Sequence, residues 1–145
     1  MPSYGKTSPS LERDGLLVNL RISVHPYQDS ALKKAAKSTP QPVSAVAMID
    51  TGAGKSVVKS GLLSRLGILP TGVTLMHTAT QANVPCPQFA VTLHFPERVA
   101  NMWWRGLVAE MPIPIANVDC LLGRDVLSYG ILVYSGVTQS WTFSL

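Results

Sequence analysis

No stretch of this chain approaches the run of about 18 apolar residues that a transmembrane helix needs. The segment Met1 to Asp14 is polar and lacks an apolar core of signal-peptide length, so a soluble, cytoplasmic protein without membrane contact is expected. Cysteine is scarce: Cys86 and Cys120 are the 2 present in 145 residues. One disulfide is conceivable, but two cysteines are too few for a secreted disulfide framework, and reduced structural thiols are expected. The 3 histidines, His25, His77 and His94, have neither the spacing nor the cysteine neighbours of a zinc site, so no metal is expected. Charged residues are only 14% of the chain against 46% hydrophobic, which excludes a disordered chain and leaves apolar surface for an oligomer. The net charge of +4 is uneven, because Lys6, Arg13, Arg21, Lys33, Lys34 and Lys37 supply half of the 12 basic side chains before position 40. No aromatic platform or basic stripe accompanies them, so a solvated face is expected rather than a nucleic-acid surface.

What is present is mostly strand pattern. Leu16, Val18, Leu20, Ile22 and Val24 alternate with Leu17, Asn19, Arg21 and Ser23, the period of a half-buried strand. Val43 to Ile49 is nearly continuous apolar sequence and predicts a strand buried on both faces. Between them, Tyr27 to Pro42 is polar and basic, with a short helix expected at Ala31 to Lys37. Ser60 to Gly67 predicts one or two helical turns closed by glycine. Val73 to Ala79 and Phe89 to Phe95 are expected to pair as the next two strands, followed by an apolar strand at Met102 to Met111. A short helix is expected at Arg124 to Tyr129, then a hairpin of Ile131 to Tyr134 with Trp141 to Leu145. Trp103 and Trp104 fall on opposite faces, one packed and one outward. Many short strands with little helix imply an all-β, barrel-like domain.

The chemistry concentrates at Ala47-Met48-Ile49-Asp50-Thr51-Gly52-Ala53. An ionised carboxylate is costly to bury, so a buried strand that delivers one into a tight turn calls for a reason. A simple Asx turn between strands is one such reason. A second element, Leu121-Leu122-Gly123 followed by Arg124-Asp125, favours another. Asp50 is the only acid in a catalytic context and its motif occurs once, so a pair of carboxylates requires a second copy of the chain. Thr51 offers a hydroxyl to tie two such loops together. Gly52 lets backbone approach a substrate strand, and Ala53 keeps the floor shallow.

Together the two elements resemble the paired signature of retropepsins, the homodimeric aspartic proteases of retroviral type, over Leu16 to Tyr134. The resemblance implies a closed β-barrel-like domain with one short helix near the C-terminus, one lobe per chain. Residues 15–145 would form it, after a flexible segment 1–14, with an inserted loop at 26–42 and a flap at 76–85. It implies an aspartic endopeptidase that uses an activated water and no cofactor, acting as a homodimer on an extended polypeptide. A catalytically silent peptide-binding or dimerisation module is the alternative, and a domain that cuts its own flanking sequence a third reading. Asp50 would be catalytic, supported by Thr51 and Gly52. Gly52, Ala53, Val57, Thr78, Ala79, Val118, Asp119 and Leu121 would contact substrate, and Gly123, Arg124 and Asp125 would be structural. His77 is expected to be an exposed loop histidine.

Several departures set the chain apart from the viral enzymes. Gly54-Lys55 stands where retroviral members carry acids, so Asp119 or an N-terminal residue is expected to partner Arg124. The flap region has no glycine between Gly72 and Gly106. The 27–42 excursion and the extension past Tyr134 point to a bacterial, cellular or element-encoded relative, whose dimer seal is built differently.

Overall fold

The computed structural model of the chain describes residues 1–96 and 99–145. Strand β2 (Leu17–Val24) buries Val18, Leu20, Ile22 and Val24 and exposes Asn19 and Arg21, as the alternation predicts. Strand β3 (Val43–Ile49) differs from expectation: Ala45, Ala47 and Ile49 are buried, while Val46 and Met48 on its other face are only half-buried. A continuous apolar run therefore hides an ordinary two-faced strand, whose outer face carries apolar residues for a second purpose.

The remaining barrel strands are β4 (Val57–Lys59), β5 (Gly72–Met76), β6 (Val84–His94), β7 (Trp103–Met111) and β8 (Cys120–Leu122). Their order is β2-β3-β8-β4-β7-β6-β5, and β6 also pairs with β2 through Ile22 with Leu93 and Val24 with Val91. That last pairing closes a β-barrel and leaves β5 hanging from the first half of β6 as a hairpin. Closure removes sheet edges that would otherwise need protection. Inside the barrel Ile22, Val58, Val91, Leu93, Val108 and Leu122 have no exposed surface. Each such side chain contributes about 1.5–3 kcal/mol through burial.

A separate three-stranded sheet joins the two ends of the chain in the order β1 (Ser3–Thr7), β10 (Ser140–Ser144), β9 (Ile131–Ser135). The segment 1–14, expected to be flexible, thus carries a strand and a short helix. Tyr4 is buried against Trp141, with ring centroids 5.4 Å apart, and helix α1 (Leu11–Asp14) buries Leu11. Gln139 holds this corner: its backbone O accepts from Ser8 N–H, and its side-chain Oε1 accepts from Leu11 N–H at 2.9 Å.

The inserted loop at 26–42 contains helix α2 (Pro26–Lys34), which starts earlier than expected because Pro26 occupies the first turn and His25 Nδ1 accepts from Tyr27 N–H. Proline suits that position, where its missing N–H costs nothing. No α2 residue is buried, and Lys33 pairs with Asp29 one turn back at 2.7 Å. A 3-10 turn at Leu63–Leu66 ends on Gly67 at φ 60, a left-handed position where glycine is favoured. Helix α3 (Arg124–Leu127) is the expected helix near the C-terminus, though α1 and α2 mean that it is not alone. Trp104 is buried and Trp103 exposed beneath Arg105, whose guanidinium carbon lies 4.1 Å from the ring centroid. Among the described residues no helix is long and apolar enough to cross a membrane.

Candidate active site

The site is built by two parallel strands. β3 and β8 run side by side in the register Ala47 with Cys120, Met48 with Leu121 and Ile49 with Leu122. Their C-terminal ends therefore emerge together, one into Asp50 and the other into Gly123. Asp50 N–H extends the ladder by donating to Leu122 O at 2.9 Å.

Asp50 then turns the chain. Its Oδ1 accepts Gly52 N–H at 2.9 Å, and its carbonyl accepts Ala53 N–H at 3.2 Å. The Asx turn is real, and it holds the half-buried carboxylate in one orientation. A Cβ on Gly52 would lie 3.1 Å from that Oδ1, so glycine permits the close approach. Thr51 and Gly52 are both exposed at the rim.

Arg124 finds a different partner from the acid expected for it. Its guanidinium Nη1 donates to Thr51 O at 2.8 Å and Gly52 O at 3.1 Å, and its backbone N–H donates to Ala53 O at 2.9 Å. The loop carbonyls replace the carboxylate that Gly54 cannot provide. Asp119 is occupied elsewhere: its Oδ2 accepts Val46 N–H at 2.9 Å, and its backbone bonds Val46 and Lys59. Its carboxylate clamps β8 to β3 and does not meet Arg124, which corrects the pairing expected between the two. None of the N-terminal residues supplies an acid to Arg124 among the described ion pairs either.

Ser56 is a site residue that the sequence reading missed. It has no exposed surface, and its N–H and hydroxyl both donate to Asp125, at 2.8 and 2.7 Å. Gly123 N–H in turn donates to Ser56 Oγ at 3.0 Å. Asp125 Oδ1 also accepts Val126 N–H at 2.9 Å. This strap ties the segment after the Asp50 turn to the start of α3. A Cβ on Gly123 would come within 2.7 Å of Lys55 C and 3.0 Å of Ala53 O, so only glycine lets the two loops pack.

Beside the carboxylate lies a second apolar cluster, distinct from the barrel interior. Val57, Ile113 and Val118 are buried in it, and Met48, Met76, Met111, Leu17 and Leu121 pack against them. Val57 and Leu121 are direct cross-strand partners, and Met48 sits two residues before Asp50 on the same face of β3. The expected positions Val57, Val118 and Leu121 are thus brought together; the three methionines were not foreseen. Met76, the last β5 residue before the hairpin loop and paired with Val84, brings the loop end of the β5–β6 hairpin onto this cluster. At the hairpin tip Thr78 organises the turn: its N–H donates to Gln81 O at 2.8 Å and its Oγ1 accepts Gln81 N–H at 3.0 Å. Asn83 takes the left-handed conformation at φ 56, so a tip without glycine still turns. Ala79 and His77 are exposed on the tip.

Both cysteines are free and buried. Burial pushes the Cys120 thiol up to about 12, helped by the negative charges of Asp125 and Asp119. It is a packing residue beneath the site. Among the described residues no group of three or more His, Cys, Asp or Glu side chains could hold a metal ion.

No family model and no curated protein matches the chain. Solved structures do. A retropepsin-like aspartic protease from Rickettsia conorii is 13% identical with a TM-score of 0.55, over 97% of this chain and 89% of its own. EIAV protease, complexed with the inhibitor HBY-793, is 23% identical with a TM-score of 0.46, over 59% of this chain and 76% of its own. The retroviral protease-like domain of Ddi1 from Leishmania major is 13% identical with a TM-score of 0.48, over 83% and 82%. The Rickettsia likeness spans nearly all of both chains and defines the class of fold, an aspartic protease-like closed β-barrel. Within that class this chain has the retropepsin-like fold, with the Asp50 turn and the Gly123-Arg124-Asp125 helix start at the rim of one barrel.

Proposed function

We propose that the chain is an aspartic endopeptidase of retropepsin type, whose active site is completed by Asp50 of a second copy. The observation that carries this reading is the setting of Asp50. It leaves a buried strand, one carboxylate oxygen is fixed by Gly52 N–H, and Arg124 and the Ser56 strap hold its loop beside an apolar cluster.

Two such carboxylates facing each other across a twofold cannot both ionise, so the pair keeps one proton. The ionised member takes a proton from a water lying between them, and the water oxygen attacks the scissile carbonyl carbon. The protonated member gives its proton to the carbonyl oxygen. Collapse of the resulting diol breaks the C–N bond, and the amine nitrogen leaves with a proton from the dyad. Fixed loops matter because the water must be held by both groups at once. The substrate lies extended beneath the β5–β6 hairpin, bound by its backbone, with apolar side chains at the cleavage point resting on Met48, Val57, Met76 and Leu121.

Asp50→Asn keeps an acceptor for Gly52 N–H and removes the titrating group. It is expected to fold and associate as the parent does, with cleavage of a peptide library and pepstatin sensitivity both lost. Undiminished cleavage by this variant would overturn the reading. A wild-type protein that binds peptides as a dimer and cuts none would favour the silent module instead.

A further inference from the structure

Lys55 and Arg124 stand at the rim of the site, on either side of Gly54, with no carboxylate between them. Lys55 immediately precedes the buried Ser56, whose bonds to Asp125 fix the backbone there. It lies two residues before Val57 of the apolar cluster beside Asp50. Its carbonyl packs against Gly123, where a Cβ would come within 2.8 Å of the oxygen. The root of the side chain is therefore held, while the residue itself is exposed. Among the described residues the Lys55 ammonium makes no ion pair or hydrogen bond. Arg124 uses Nη1 for Thr51 and Gly52, and its Nη2 lies 3.7 Å from where a Cβ on Gly54 would stand. Glycine leaves that side of the guanidinium uncovered.

The neighbouring acids do not neutralise this pair. Asp119 is engaged by Val46 N–H, and Asp125 by Ser56 and Val126 N–H. Glu110, in register with Val58 on β7, pairs with neither cation among the described residues. Residues 66–96, which include the whole β5–β6 hairpin, contain no Asp, Glu, Lys or Arg. Charge selection at the cleft therefore falls to Lys55 and Arg124.

We infer that the substrates carry acidic side chains on both sides of an apolar cleavage point, and that Lys55, with Arg124, selects them. The inference rests on the dyad reading, because a twofold through the Asp50 pair puts one Lys55 and one Arg124 at each end of the cleft. A substrate carboxylate meets two cations there, in a cleft whose apolar walls strengthen the attraction. The Lys55 stem lies over apolar surface while its ammonium stays in water. A basic substrate side chain in the same place meets like charge, so rejection adds to selection.

Three peptides test this, alike in length and in the apolar pair at the cleavage point, with glutamate, glutamine or lysine flanking that pair on both sides. At low ionic strength the wild type is expected to cleave the glutamate peptide with kcat/KM about threefold above the glutamine peptide and about tenfold above the lysine peptide. Added salt should bring the three together, since the Debye length shortens from about 10 Å at 0.1 M to about 3 Å at 1 M. Lys55→Glu is expected to reverse the order. Lys34→Glu, the same charge change at an exposed position of α2, should keep it. Equal kcat/KM for the three peptides in low salt, a preference that salt leaves intact, or an order that Lys55→Glu does not alter would overturn the assignment. The wild-type salt series reads the preference without any variant, so a Lys55→Glu protein that fails to fold does not shield the inference. Each of those results leaves the dyad reading standing, because the peptides are still cut. Cleavage of all three that persists in Asp50→Asn would instead remove the dyad reading, and this inference with it.

Discussion

Replacing Ser56 by alanine tests the strap that holds the catalytic loop, and the structure gives its size. The hydroxyl donates to Asp125 Oδ1 at 2.7 Å, a bond to a charged acceptor of the kind that contributes about 1.5–3 kcal/mol. The same oxygen accepts Gly123 N–H at 3.0 Å in a buried setting, and an orphaned donor there costs about 1–3 kcal/mol. Asp125 is only part-buried and keeps its bonds from Ser56 N–H and Val126 N–H, so the low end of the sum applies. The expected loss is about 2.5 kcal/mol, or roughly 5–10 °C in Tm for a domain of this size. Urea unfolding followed by tryptophan fluorescence reads it, since Trp104 and Trp141 are both buried. Protein concentration must be held constant, because association shifts apparent stability. Ser60→Ala, at an exposed position, is the control and is expected to stay within about 0.5 kcal/mol. A double-mutant cycle with Asp125→Ala should show coupling of at least about 1 kcal/mol. A Ser56→Ala loss no larger than the control, or zero coupling, would refute the strap.

Arg124→Met removes the two bonds to Thr51 and Gly52 carbonyls at an exposed position, so it should cost only about 1 kcal/mol of stability. It should nevertheless lower kcat/KM for a peptide substrate at least tenfold through misplacement of Asp50, and equal kcat/KM would count against the clamp. Cys120 makes a pH prediction. Its folded value of about 12 lies above the unfolded value of 9.0, so its contribution is intact below pH 9 and is lost as pH rises towards 12. Over that window the parent should lose stability with a slope steeper than Cys120→Ala by up to about 1.4 kcal/mol per pH unit. Parallel slopes would contradict the burial of the thiol.

The strands of the barrel were legible wherever alternation is local, as in β2 and β6. Strand β3 was misread because its outer face, Val46 and Met48, is as apolar as its inner one, and period alone cannot separate the two. β1 was unreadable for another reason: its partner, β10, lies at the far end of the chain, and Tyr4 is its only buried anchor. Helix α2 began at Pro26 because the proline fixed the first turn, where the sequence reading had placed polar loop. At the site, Asp50-Thr51-Gly52 and Gly123-Arg124-Asp125 could be read because each motif is contiguous. The partners of Arg124, Asp119 and Ser56 could not, since every one of those bonds joins segments about 70 residues apart in sequence and exists only once β3 and β8 lie parallel. The methionines beside Asp50 carried no local signal beyond the position of Met48 two residues before it.

The most direct test is a subunit-mixing titration, in which Asp50→Asn protein is added in rising amounts to a fixed quantity of wild type under exchanging conditions while peptide cleavage is followed. If each site needs Asp50 from both chains, wild-type pairs fall to about one quarter of all dimers in an equal mixture, and activity drops by about half and continues towards zero. Activity that stays level however much of the variant is added would show that a single chain carries the complete site.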